Sequence, residues 1–227
     1  MMTTKTIRGV ILDVDGTLID SNDQHAKAWV ETLEQFGVAA SYDEVRRLIG
    51  MGGDKLLPKV SGISEETDEG RRISEARAER FKSKYLATIT PFSKTRELVE
   101  RMRDAGLQIA IASSAKGEEL GPFLEIADVK DLIEAATSSS DAEESKPDPD
   151  IVEAALAHLD LDPGEVLMLG DTPYDVEAAS RAGIATVAVR CGGWADEGLA
   201  GAVAIYDDPA DLLARFDSSP FARDSRG

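Results

Sequence analysis

Apolar and polar positions follow two different rhythms along this chain. Val10-Ile11-Leu12 is a short, continuous apolar run that meets Asp13, and Gly16 lets the backbone turn sharply away. Such a run reads as a strand buried in a parallel sheet. A helical period then takes over. Ala26, Trp29, Val30, Leu33 and Phe36 share one stripe between Asp23 and Phe36, and Gly37 stops it. Ser41-Tyr42-Asp43-Glu44 is a capping-box signal for a helix whose apolar side is Val45, Leu48 and Ile49. Gly50-Met51-Gly52-Gly53 breaks that helix, and a short one is expected over 54–60. A long charged segment, 64–87, carries Ile73, Ala76, Phe81 and Leu86. No strand signal occurs between residues 21 and 88.

From Pro91 onward, strand and helix signals alternate. Helices are expected over 94–104, from near Gly117, over 149–159 and over 176–182. Strands are expected over 107–112, 165–169 and 185–189, with weak ones over 133–137 and 202–206. Asp208-Pro209 opens a closing helix to Phe216, and the tail, 218–227, is expected to fray. This order predicts an α/β fold, a doubly wound parallel sheet with helices on both faces. The run of helices after the first strand predicts an α-helical cap inserted into it. The expected boundaries are 1–20 and 89–227 for the core and 21–88 for the cap.

Charge narrows the partners. The 227 residues hold 43 acidic against 25 basic side chains, a net charge of −18. That field repels nucleic acid and anionic membranes, so neither is an expected partner. It also requires any phosphate site to be locally positive. Cys191 is the single cysteine, which fits a reducing cytoplasm. The expected location is therefore cytoplasmic: no signal peptide precedes Asp13, and no segment approaches the ~20 apolar residues of a membrane span. No pattern points to a particular oligomer.

Ligands of such sheets sit beyond the carboxyl ends of the strands, and Asp13, Ser113 and Asp171 all fall at such ends. Asp13 and Asp15 are two apart and share a face, where like charges demand a cation or a shared proton. Ser113, with the amides of Ser114 and Ala115 just before a helix, suits phosphoryl oxygens, or is simply a helix N-cap. Lys146 is held on a stiff loop by Pro147 and Pro149. Asp171 and Asp175 offer the hard oxygens that Mg²⁺ takes.

Asp13-Val14-Asp15-Gly16-Thr17-Leu18 resembles the first motif of the haloacid dehalogenase-like (HAD) superfamily, most of whose members are Mg-dependent phosphatases and phosphomutases. Ser113 resembles the second motif and Ser145-Lys146-Pro147-Asp148-Pro149 the third. Gly170-Asp171-Thr172-Pro173-Tyr174-Asp175 resembles the fourth, with Ala178-Ala179 and Ala182-Gly183 after it. The four occur in order, over roughly 6–20 and 89–216. The resemblance implies a Rossmann-like core and a role for each residue. Asp13 is the nucleophile that forms an aspartyl-phosphate, and Asp15 is the general acid and base. Asp13, the backbone carbonyl of Asp15 and Asp171 hold Mg²⁺, with Asp175 in support. Ser113, Ser114 and Lys146 bind the phosphoryl group. A carboxylate approaching a phosphate dianion meets repulsion of about 4 kcal/mol per charge pair at ~4 Å and an effective dielectric of ~20. Lys146 alone does not offset this, so the residues themselves call for a divalent cation.

Members that cleave carbon–halogen bonds lack the second acid, and so do those that cleave phosphonates; Asp15 therefore argues against both. Asp20, His25 and Ala28-Trp29 resemble the start of the cap in β-phosphoglucomutases and related sugar-phosphate phosphatases. His25 is expected either near the site at the hinge or on a helix surface. The loop Gly50 to Lys55 lies where relatives select substrate, which makes Gly53 and Lys55 candidates. Mutases carry an arginine close to position 53 and this chain has none there, though Lys55, Arg46 and Arg47 are nearby. The expectation is a phosphatase of small phosphorylated metabolites, phosphoglycolate- or sugar-phosphate-like. A β-phosphoglucomutase-like mutase and a catalytically silent HAD-like binding protein are the alternatives. The Cys191–Trp194 loop receives no chemistry.

Overall fold

The computed structural model describes residues 6–142 and 144–222. Six strands, β1 (Gly9–Leu12), β2 (Gln108–Ala112), β3 (Ala135–Thr137), β4 (Val166–Gly170), β5 (Ala185–Val189) and β6 (Ala204–Tyr206), form one sheet in the order β3-β2-β1-β4-β5-β6. Every pairing is parallel. Strand order reverses at β1, which has β2 on one side and β4 on the other. That is the switch point where such sheets bind ligands. The register sets Leu12 opposite both Ile111 and Leu169, so the chain leaves all three strands at one level.

Between β1 and β2 come α1 (Asn22–Gln35), α2 (Tyr42–Arg46), α3 (Gly53–Ser61) and α4 (Asp68–Arg80), followed by a π-helical turn over Phe81–Tyr85. These helices form an insertion between β1 and β2, called the cap. Its caps explain its boundaries: Ser41 accepts from the Glu44 amide at 3.2 Å, and Thr67 from that of Gly70 at 3.0 Å. The remaining helices are α5 (Thr95–Asp104), α6 (Gly117–Ile126), α7 (Asp150–Leu159), α8 (Pro173–Arg181) and α9 (Pro209–Ala214).

Alternate residues of β1 serve opposite faces of the sheet. Val10 and Leu12 join a core with Leu98, Met102, Phe123 and Leu212, while Ile11 joins Ala110, Ile151, Ala155, Met168 and Ala178. Helices therefore cover both faces, as the alternation predicted. The cap has a cluster of its own around Trp29, Leu33, Val45, Leu57 and Ile73. It meets the core in two ways. At its back, Ala28, Phe81, Tyr85 and Ile89 merge into the main core. At its front, Tyr174 of the core packs on the cap's cluster and the other contacts are polar: Arg46 donates to the Gly192 carbonyl at 2.6 Å, Ser145 to Asp54 at 2.5 Å and Ser114 to the Gly50 carbonyl at 3.2 Å.

Two expectations need correction. The helix expected from Val176 begins at Pro173, because Thr172 caps it: its hydroxyl accepts the Asp175 amide, and Asp175 returns the bond to the Thr172 amide at 3.0 Å. The tail does not fray through Ala222. Ser219 is buried, and Phe221 is fully buried and stacks on Phe216 with ring centroids 6.4 Å apart. Residues 223–227 lie outside the described residues.

Candidate active site

The level register delivers the acids together. The Asp13 amide donates to the Leu169 carbonyl at 2.9 Å, which fixes the first residue past β1 against β4. Asp13, Asp171 and Asp175 are all buried, and each offers an oxygen within 4.8 Å of the others. Gly16, at φ +79, makes this crowding possible: a Cβ there would stand 2.3 Å from Oδ2 of Asp171. Gly192 does the same from the far side, where a Cβ would stand 1.6 Å from that oxygen.

Lys146 answers part of this charge. It is fully buried, with Nζ 2.6 Å from Oδ1 of Asp13, 2.8 Å from Oδ1 of Asp175 and 2.7 Å from the Ala112 carbonyl. Burial alone would lower its pKa, but the two carboxylates more than offset this and raise it. Three acids against one ammonium leave a deficit. Burial pushes the Asp13 carboxyl up to about 7, with Lys146 pulling it down and Asp175 adding to the rise. Asp171 is raised well above the usual carboxylate range, by burial first and then by Asp13 and Asp175. Thr17 has one hydroxyl hydrogen, yet its oxygen lies 3.0 Å from Asp13 Oδ2 and 3.1 Å from Asp171 Oδ1. One of these oxygens therefore faces a lone pair. A buried, oxygen-only set with uncompensated negative charge is the donor chemistry of a hard divalent cation, and the residues fit Mg²⁺.

Asp15 faces the cap rather than this cluster. Its Oδ1 accepts from Ser21 at 2.5 Å and lies 2.8 Å from Nε2 of His25. Burial pushes its pKa up, but His25, Ser21 and Arg77 outweigh burial and hold it below the usual range. His25 is buried against Phe81, the rings parallel with centroids 4.1 Å apart, so it is not on a helix surface. Above these groups lies a cavity of about 400 Å³ between cap and core, lined by Asp13, Asp15, His25, Trp29, Arg77 and Ser114 among others.

The other expected residues are placed less simply. Ser113 is buried and its hydroxyl accepts from the Ala115 amide at 3.1 Å, so that amide is already engaged. Ser114 lines the cavity and ties to the cap loop. Gly53 lines the cavity at the start of α3, next to the Trp29 ring. Lys55 points away from the acids and pairs with Asp148 and with Glu144, the latter at 3.2 Å. It clamps cap to core.

Several contributors had no role in the sequence reading. Thr17 lay within the first motif without one. Asn22 donates to Asp171 at 2.9 Å and to the Gly192 carbonyl at 3.2 Å. Arg77 reaches His25 and Glu119 from the last turn of α4, a helix that also carries Arg71, Arg72 and Arg80. Its available signal was its place four residues after Ile73 and four before Phe81, on the apolar side of the segment.

Comparison with known proteins agrees with this geometry. The family model described as haloacid dehalogenase-like hydrolase matches residues 10–189. The chain is 30% identical over 189 residues to the pyrophosphatase PpaX of Bacillus velezensis, covering 83% of this chain and 85% of that one. It is 31% identical over 185 residues to the phosphoglycolate phosphatase of Aquifex aeolicus, covering 79% and 83%. The crystal structure of a hydrolase from Pseudomonas syringae superposes with a TM-score of 0.86 at 31% identity, covering 93% and 98%. The chain belongs to the haloacid dehalogenase-like hydrolase family. Within that family it is an enzyme of the phosphatase type, a phosphoric monoester hydrolase acting on small phosphorylated compounds. Among the described residues no helix is long and apolar enough to cross a membrane.

Proposed function

We propose that this chain is a Mg²⁺-dependent phosphatase that hydrolyses phosphate monoesters of small metabolites through an aspartyl-phosphate on Asp13. The observation that carries the reading is the buried triad Asp13, Asp171 and Asp175, with Lys146 paired to Asp13 and Asp175, beside a cavity lined by Asp13 and Asp15. Asp13, Asp171 and the Asp15 carbonyl would hold the cation, with Asp175 in support, and the bound ion would supply positive charge beside the phosphoryl oxygens.

The chain's own residues do the rest. An Asp13 oxygen attacks phosphorus, and the bond from phosphorus to the ester oxygen breaks. Asp15, which His25, Ser21 and Arg77 hold as a carboxylate in the free enzyme, takes up a proton as substrate binds and gives it to the departing alkoxide. It then takes a proton from water, whose oxygen attacks phosphorus, and phosphate leaves as Asp13 regains its carboxylate. Lys146 offsets the charge that gathers on the phosphoryl oxygens, with Ser113 and Ser114 at the mouth of β2 as further donors. Residues 21–88 serve as the cap, bringing His25 and Arg77 over the core's acids. Cys191 as a free thiol suits a cytoplasmic setting.

The test is a panel of phosphate esters with purified protein and Mg²⁺, read as released phosphate. Turnover of several small monoesters is expected. No turnover of any ester would overturn the reading in favour of a binding protein.

A further inference from the structure

Beyond Asp13 and Asp15, the remaining lining of the cavity has a chemistry of its own. Each of its two cations is paired, although the Nε–H of Arg77 has no partner. Arg77 places one terminal nitrogen 3.0 and 3.3 Å from the two oxygens of Glu119 and the other on Nδ1 of His25. Lys116 lies 3.1 Å from Glu65. Asp54 is a third acid on this wall and accepts a hydrogen bond from Ser145. Three carboxylates thus face two cations, and each cation has an acid partner. The rest of the lining is hydroxyl and apolar. Ser139, Ser140 and Ser145 line the cavity together with Ile49, Met51 and Trp29. Ser74 also lines the cavity, is 5% exposed, and its hydroxyl has no hydrogen-bond partner.

We infer that the enzyme selects monoesters whose leaving group is a neutral, hydroxyl-bearing carbon chain, and rejects those carrying a second anion. The inference rests on the phosphatase reading above. A carboxylate or second phosphate reaching this lining would have to compete with Glu119 and Glu65 for cations they already hold and would lie beside three acids, a like-charge arrangement that is costly in a partly dehydrated site. Hydroxyl groups suit it on both counts. They donate to Asp54, Glu65 and Glu119, and they satisfy the buried Ser74 hydroxyl. The carbon backbone meets Ile49, Met51 and Trp29. A volume of about 400 Å³ is at the small end of ligand sites and suits a molecule of sugar-phosphate size. Specificity here is partly built from repulsion.

The test compares kcat/KM for glucose 6-phosphate, ribose 5-phosphate and glycerol 3-phosphate with kcat/KM for phosphoglycolate, fructose 1,6-bisphosphate and pyrophosphate. Nitrophenyl phosphate serves as control. The best neutral ester is expected to exceed every doubly anionic compound by about 100-fold. Glu119→Gln unties Arg77 and should raise kcat/KM for phosphoglycolate about 10-fold relative to the neutral esters. Glu65→Gln, which unties the more exposed Lys116, is the second variant if the first does not fold. Preference for phosphoglycolate, the bisphosphate or pyrophosphate in the unaltered enzyme, with nitrophenyl phosphate cleaved, would overturn the inference and leave the phosphatase reading standing. An unchanged ratio in the folded variants would overturn it too. Failure to cleave nitrophenyl phosphate or any ester would sink the phosphatase reading, and this inference with it.

Discussion

Nε2 of His25 lies 2.8 Å from Oδ1 of Asp15, while Nδ1 of the same ring faces the guanidinium of Arg77. A guanidinium only donates, so Nδ1 accepts and the ring proton sits on Nε2, from which it is given to Asp15. The cap therefore reaches the second acid of the core through one oriented imidazole, and the Phe81 ring beneath fixes its plane.

Asp15→Ala separates the two tasks assigned to that acid. A nitrophenolate, with a pKa of ~7, leaves without needing a proton, whereas a sugar alkoxide needs one. The variant should show a burst with nitrophenyl phosphate and then stall as the phospho-enzyme, but almost no burst with a sugar phosphate. Rapid-quench kinetics with intact-mass detection measures this, and equal bursts from both ester classes would remove Asp15 as the acid.

His25→Ala should slow turnover less than loss of the acid itself, by about 10- to 100-fold for a sugar phosphate. The slowing should be smaller for nitrophenyl phosphate, because the acid is needed less. A uniform loss across both esters would mean that the ring only supports the fold.

Most of the fold was legible because β1, β2, β4 and β5 are short apolar runs, the first three followed directly by Asp13, Ser113 and Asp171. The weak outer strands were also placed, though β3 and β6 shrink to three residues each. Of the candidate site, Asp13, Lys146 and Asp171 could be proposed because each stands just past a strand or on a stiff loop, and Asp15 and Asp175 because they follow two and four residues after the first and last of these. Arg77 could not, since its significance lies in contacts 52 residues back and 42 forward. Lys55 misled for a related reason: its loop reaches the cavity, but its side chain finds Asp148 on the core. Phe221 was hidden among Ser, Pro and Arg, a composition that reads as loose.

Asp13→Asn should abolish steady-state turnover and leave the fold intact, because the amide keeps the shape and loses the nucleophile. Residual activity above about one part in a thousand, with contamination excluded by a second purification, would exclude a covalent route through this residue.

Removal of divalent cations with a chelator should stop activity, and added Mg²⁺ should restore it. Asp171→Ala should weaken Mg²⁺ binding by calorimetry by at least about 10-fold. Full activity in metal-free buffer would contradict the charge argument made from Asp13, Asp171 and Asp175.

Phe221→Ala should cost about 3–5 kcal/mol of stability, since the side chain is completely buried against Phe216. Urea denaturation reads this as a lower midpoint with an unchanged slope. A loss below about 1 kcal/mol would show that the last turn contributes little.

The two unlike seams of the cap have a mechanical consequence. Along the back, Ala28, Phe81, Tyr85 and Ile89 are continuous with the main core, and parting them would wet apolar surface. Along the front, Arg46, Lys55, Ser114 and Ser145 hold the cap by bonds that water can replace at little net cost. Thermal motion therefore acts on the cap as on a book lying on its spine: the binding stays glued, the fore-edge lifts, and solutes come and go from that one side. Dissolved salt should ease the lifting, because it weakens the ionic contacts of the fore-edge and leaves the spine untouched.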